Sequence, residues 1–381
     1  MANNIYLDYA AATPLDPKVK DAMEPYWSED FYNPSATYLA GRRIRKALEQ
    51  ARQDVASVLS VRPAEIIFTA GATEANNLAI QGLMRSYQDG EVLVSATEHD
   101  SVLAPASLFT HRRIPVDRYG QVILNKLSNL ISDRTILISV IFVNNETGTV
   151  SPLRDLAKIA QEIRRTRLSQ KNMLPLFFHT DAAQAPNYFD LNVHKLGVDL
   201  MSLNGSKIYG PKQSGALYIN RTIRLKPLIL GGGQESGRRS GTENMAAIVG
   251  FAKALTLAKD RRKVQKYHVS NLRDQMANGF SQFVPSAIIN GHPTEHAPHI
   301  LSVTFPGFDN ERLMMELDEA GIQCAVGSAC SAAKDEASHV LATMGLAESA
   351  IRSSLRFSFG KNTTPKDIKV TLARLRTLTG K

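Results

Sequence analysis

The chain has 381 residues, 43% hydrophobic and 21% charged, an ordinary balance for a globular protein and enough length for two domains. Its formal charge of +9 is spread out, in short clusters such as Arg42-Arg43-Arg45-Lys46 and Lys259-Arg261-Arg262-Lys263 that read as solvated helix faces, so no direct nucleic-acid partner is expected. The chain has no long apolar run, and the start MANNIYLDYAAATPLDP lacks a leader pattern, so a cytoplasmic protein with no membrane span is expected.

In chain order, helical periodicity marks AGRRIRKALEQARQDVASVL, Ala40 to Leu59, and the apolar run EIIFT then meets AGATEANNLAIQGL as strand, turn and helix. The alternation repeats with EVLVSA before TEHDSV, TILISVIFV before NNETG, the helix LRDLAKIAQEIRRTR, LFFHT before DAAQ, and VDLMSL before NGSKIYG. Strands separated by helices specify an α/β domain with a mainly parallel sheet, helices on both faces, and GALYI as a further strand. A long helical pattern from about Met245 to Phe280 follows the glycine-rich GGGQESGRRSGTEN. The remainder, AIIN, HILSVTFPG, ERLMMELDEAG and SLRFSFG, reads as a smaller α+β domain.

Ligands of open parallel sheets bind beyond the carboxyl ends of the strands, so the polar residues that follow each apolar run are the candidates. They are Thr69 to Thr73, Glu98-His99, Asn144 to Glu146, Asp181 with Gln184, and Asn204 through Lys207. Gly71-Ala72-Thr73 opens a helix with small residues, an N-cap that also lets backbone N–H groups approach an anion. It matches neither GxxxxGK[ST] nor GxGxxG. Asp181 emerges from an apolar strand, and such a carboxylate needs a cationic partner. Lys207, Asp181 and the phosphate cup together are what pyridoxal 5'-phosphate requires: an amine for its aldehyde, a carboxylate to keep its ring nitrogen protonated, and an anchor for its phosphate. His99 adds an aromatic, proton-moving side chain. The two cysteines, Cys324 and Cys330 in QCAVGSACSAA, make neither a disulfide framework nor a zinc site. Small neighbours point to a mobile, accessible loop and tilt Cys330 toward chemistry. His292, His296 and His299 share a loop without a carboxylate constellation, so no metal site is assigned.

The ordered motifs GATEANN, TEHDSV, NNETG, DAAQ, SKIYGPK, RRSGTEN, GSACSA and SLRFSFG, with the start YLDYAAATPLDP, resemble the cysteine desulfurases. These are the fold-type I pyridoxal-phosphate enzymes of the NifS/IscS kind, and the likeness runs over essentially the whole chain. It implies a seven-stranded large domain at 15–255, and a small α+β domain at 1–14 and 256–381 carrying the cysteine loop at about 322–335. It further implies that Lys207 bonds the cofactor, Asp181 meets the pyridine nitrogen, Gln184 donates to the ring's phenolic oxygen, and His99 stacks on the ring as acid/base. Ala72, Thr73, Asn204 and Ser206 fall at phosphate-contact positions, Asn145 near cofactor and substrate, and Asn33 and Arg356 at substrate positions, Arg356 clamping the carboxylate. Thr242 corresponds to a threonine that reaches the phosphate of a neighbouring subunit, which implies a homodimer. Cys330 would be the nucleophile that takes sulfur from L-cysteine, releases L-alanine and hands the persulfide to an iron–sulfur scaffold or a tRNA-thiolation enzyme.

The chain departs from that pattern at Ser206, where the family usually has histidine, at Asn204, where it has serine, in GPKQSG and NPSATY, and at the ending LTGK, short of a docking tail. A selenocysteine lyase, another class V aminotransferase-like enzyme or a catalytically weakened cofactor-binding scaffold would share Lys207 and Asp181 without needing Cys330.

Overall fold

The computed structural model describes residues 4–327 and 337–380. Its strands in chain order are β1 (Ile5–Tyr6), β2 (Ile66–Thr69), β3 (Glu91–Ser95), β4 (His111–Ile114), β5 (Thr135–Ser139), β6 (Phe177–Asp181), β7 (Leu200–Asn204), β8 (Gly215–Ile219), β9 (Ile288–Asn290), β10 (Ile300–Thr304), β11 (Ile322–Gln323) and β12 (Ser354–Ser358). A seven-stranded sheet has the order β2-β8-β7-β6-β5-β3-β4. From β7 to β4 every neighbouring pair is parallel, whereas β8 runs against both β7 and β2. The link between β7 and β8 is too short for a crossover helix, which is why they pair antiparallel. That short link carries Lys207.

Both faces of the sheet are covered, and side chains alternate between them with the strand period of two. Ile67, Val92, Val94 and Leu217 pack with Leu78 and Leu83 of the helix Ala72–Met84. Phe68, Leu93, Ile138, Phe178 and Met201 point the other way, into a core shared with Val55 and Leu59 of the helix Leu39–Leu59 and with Phe251. The expected α/β fold with a mainly parallel sheet is present, including six strands read from apolar runs. The seventh, β4, has the sequence HRRI and no apolar pattern, and it occupies the sheet edge, where charge discourages pairing with another chain. Arg112 on β4 reaches back to Glu91 on β3 at 2.6 Å.

The helix Met245–Phe283 runs unbroken through residues 255–256. Its first part feeds the sheet core, while Val269, Leu272, Met276 and Phe280 join Leu301, Val303, Leu355 and Phe357 in a second core. That second core lies on the antiparallel sheet β9-β10-β12, beside which β1 and β11 form a parallel pair. The glycine-rich segment is tied to the large sheet by a buried ion pair. Arg52 meets both carboxylate oxygens of Glu235 at 2.8 Å, and Glu235 also accepts from the Phe68 backbone N–H at 2.9 Å.

Candidate active site

The parallel strands end on one edge of the sheet, and the loops leaving β2, β3, β5, β6 and β7 meet there around a cavity of about 240 Å³. Its walls carry Ala72, Thr73, His99, Asn145, Asp181, Gln184, Asn204, Lys207 and Arg356, with Ala10 and Ala11 from the N-terminal segment. Cys330 lies outside the described residues.

Lys207 closes a single helical turn, Gly205–Lys207, whose start is capped by Asn204 Oδ1 accepting from the Ser206 N–H at 3.1 Å. Only glycine fits at position 205, since a Cβ there would lie 2.1 Å from Ser214 Oγ. The Lys207 ammonium donates to the Ala11 carbonyl, so the N-terminal segment holds the amine at the cavity wall. Asn187 Nδ2 holds the Lys207 carbonyl at 3.0 Å.

Asp181 ends β6 and is 4% exposed. Its two oxygens accept from neutral donors, Asn76 Nδ2 at 2.7 Å and the Ala183 N–H at 2.9 Å. The same Asn76 amide donates to Ser101 Oγ at 2.9 Å, and Ser101 in turn meets His99 Nδ1 through its hydroxyl at 2.8 Å and its N–H at 3.0 Å. An Nδ1 that accepts a backbone N–H leaves the neutral imidazole's proton on Nε2. Asp181 and His99 are thus fixed relative to each other through Asn76 and Ser101, neither of which the sequence reading singled out. Asn76 stands within GATEANN, one of the quoted motifs, and is completely buried at a helical position.

Glu98, adjacent to His99, is fully buried. Burial first, and then the negative charge of Asp181, pushes its carboxyl well above the usual carboxylate range, against the pull of the Ile141 N–H that it accepts. Gln184 spends one amide hydrogen on the Ala10 carbonyl at 2.9 Å, and its oxygen lies 3.2 Å from His299 Nε2. Burial pushes His299 down to about 3, so it stays neutral.

Three predicted residues do not line this cavity. Ser206 turns its hydroxyl to Asn204 Oδ1 at 3.1 Å, so the two departures from the family pattern bond to each other. Thr242 lines a separate cavity of about 190 Å³ with Gln213, Ser214 and Gly215, and Asn33 is exposed, its side chain accepting from the Ser35 N–H at 2.8 Å. Both are exposed.

The class-V aminotransferase family matches residues 5–370. The chain belongs to that family. It is 38% identical over 98% of its length to a protein named cysteine desulfurase IscS from Dictyoglomus turgidum, covering 93% of that relative, and 38% identical over 97% to the human cysteine desulfurase, covering 80% of it. Among solved structures, a NifS-like protein superposes with a TM-score of 0.89 at 30% identity, over 98% of this chain and 99% of that one. A structure titled SspA in complex with cysteine superposes with a TM-score of 0.79 at 32% identity, over 94% of this chain and all of that one. The family is one of pyridoxal-phosphate enzymes, and the residues on this cavity fit that cofactor. A primary amine and a buried carboxylate with neutral partners face the same space, and the N-terminus of the helix Ala72–Met84 opens beside them behind Gly71, whose φ of 115° suits glycine.

Cys324 sits on the stem that follows β11. Burial, with the charge of Asp8 added, pushes its thiol up to about 12 against the pull of Arg356. A protonated thiol is a poor nucleophile. At pH 8, iodoacetamide is expected to leave Cys324 unlabelled over an hour by peptide mapping, whereas carbamidomethylation as fast as that of free cysteine would contradict the burial of this thiol against the second core.

Proposed function

We propose that the chain acts on L-cysteine as a desulfurase, Lys207 and Cys330 sharing the chemistry. The observation that carries this reading is the convergence of Lys207, Asp181, His99 and Arg356 on one cavity. Arg356 and Asn145 hold the amino acid at its carboxylate end, and the Lys207 amine would accept the α-proton. Pyridoxal phosphate supplies the electron sink for the charge left on carbon. Asp181, held by Asn76 and Ala183, would meet the ring nitrogen of that group and favour its protonated form. Gln184 would offer its second amide hydrogen to the ring oxygen. His99 carries a proton on Nε2 to or from the reacting atoms. The Cys330 thiolate attacks the substrate sulfur: the carbon–sulfur bond breaks, a sulfur–sulfur bond forms on Cys330, and the carbon takes up a proton to give L-alanine.

In this reading the persulfide passes to an acceptor protein, an iron–sulfur scaffold or a tRNA-thiolation enzyme, in the cytoplasm. Among the described residues, no helix is long and apolar enough to cross a membrane. A homodimer is supported by an exposed apolar group in which Phe31 stacks on Tyr32 at 4.5 Å and Tyr38 approaches Tyr32 at 6.2 Å, with Trp27 63% and Leu39 78% exposed. Thr242, on its separate cavity, would then serve the partner's phosphate.

Cys330→Ala tests the reading directly. It should retain the cofactor's visible absorbance while alanine formation from L-cysteine with dithiothreitol falls by about a hundredfold or more. Undiminished turnover would show that the sulfur does not leave through Cys330.

A further inference from the structure

Arg356 lies on β12 with its side chain 3% exposed, and its guanidinium forms part of the cavity wall. Nη1 donates to the Asn145 carbonyl at 2.9 Å, and Nη2 to Asp8 Oδ1 at 2.7 Å. Nε is buried without a hydrogen-bond partner among the described residues. Asp8 does not line the cavity; its carboxylate meets the cavity wall at the Arg356 guanidinium. Its backbone is fixed by a bridge to Ser358 on β12 and by the Tyr6 hydroxyl, which donates to the Asp8 carbonyl at 2.9 Å. The neighbouring titratable groups are uncharged at neutral pH, because Tyr6 and Cys324 are both pushed up to about 12, by burial first and Asp8 second. Among the described residues, Asp8 is the one carboxylate paired with Arg356.

We propose that Asp8 is a positioning residue that serves as the resident counter-ion of the carboxylate clamp and moderates how tightly Arg356 holds substrate and product. The proposal rests on the reading of the cavity as an amino-acid site. A buried guanidinium without a counter-charge is costly, and Asp8 offsets that cost and fixes the Nη2 edge before any ligand arrives. The same charge then opposes an incoming carboxylate, since two anions share one cation. L-Cysteine and L-alanine carry the same carboxylate, so the moderation applies equally to both and keeps the product free to leave.

Asp8→Asn retains an oxygen for Nη2 and removes the charge. Calorimetric titration of the holoenzyme should show L-alanine binding about tenfold tighter than in the wild type, while ethylamine, which lacks the carboxylate, is unchanged. In turnover, KM for L-cysteine should fall and product inhibition by L-alanine strengthen by the same factor, with kcat not raised. In an Arg356→Gln background, Asp8→Asn should change L-alanine binding by less than about twofold. Unchanged or weaker L-alanine binding, an equal shift for ethylamine, or the full effect in the Arg356→Gln background would each overturn the proposal. Asp8→Ser, which also keeps a small oxygen acceptor, carries the same expectations if Asp8→Asn does not fold. A wild type that makes no alanine from L-cysteine would end the desulfurase reading, while the alanine–ethylamine comparison would still decide the role of Asp8.

Discussion

Lys207→Ala is expected to lower alanine formation from L-cysteine by at least about a thousandfold, the combined loss of a covalent anchor and a proton acceptor. The fold should survive. The turn Gly205–Lys207 is held by Asn204, by the Gly205 N–H bonded to the Ser214 carbonyl at 2.8 Å, and by Thr13, whose hydroxyl donates to the Ser206 carbonyl at 2.9 Å, none of which uses the lysine amine. Borohydride reduction followed by peptide mapping gives an independent readout, with the cofactor fixed to the peptide containing Lys207 in the wild type and to no peptide in the variant. A reducible covalent link at the same site in Lys207→Ala would refute the assignment.

Asp181→Asn should cost about a hundredfold or more in turnover, and its cofactor should be lost faster on gel filtration, because breaking a buried charge pair typically costs about 3–5 kcal/mol. The substitution is nearly isosteric but not neutral. Asp181 accepts on both oxygens, from Asn76 Nδ2 and from the Ala183 N–H, and an amide can offer an oxygen to only one of these donors. The other donor then faces an NH₂ group and loses its acceptor. Wild-type turnover together with wild-type cofactor retention would show that no positive charge is met at Asp181.

Much of this architecture is legible along the chain, because doubly covered strands read as continuous apolar runs and helices show their own period. EVLVS, TILIS, LFFHT and GALYI were found this way. The strand β4 was not, since an edge strand of the sequence HRRI buries too little to require an apolar pattern. The stretch Ile5–Thr13 was legible as a motif but not as a wall of the site. Its contacts to Lys207 and Gln184 use the carbonyls of Ala11 and Ala10, and a backbone oxygen leaves no mark in residue type.

The sequence by itself determined the strand-and-helix alternation, and with it the edge of the sheet where Lys207, Asp181, His99 and Asn145 had to gather. It did so because hydrophobic period and the position of polar residues after each strand are local properties of the chain. Only the tertiary structure decided which groups those residues face: Asn76 and Ser101 joining Asp181 to His99, Ser206 turning to Asn204, and Asp8 meeting Arg356 from the other end of the chain. Those pairings depend on how segments up to hundreds of residues apart pack together, and no local pattern encodes which buried donor will find which acceptor.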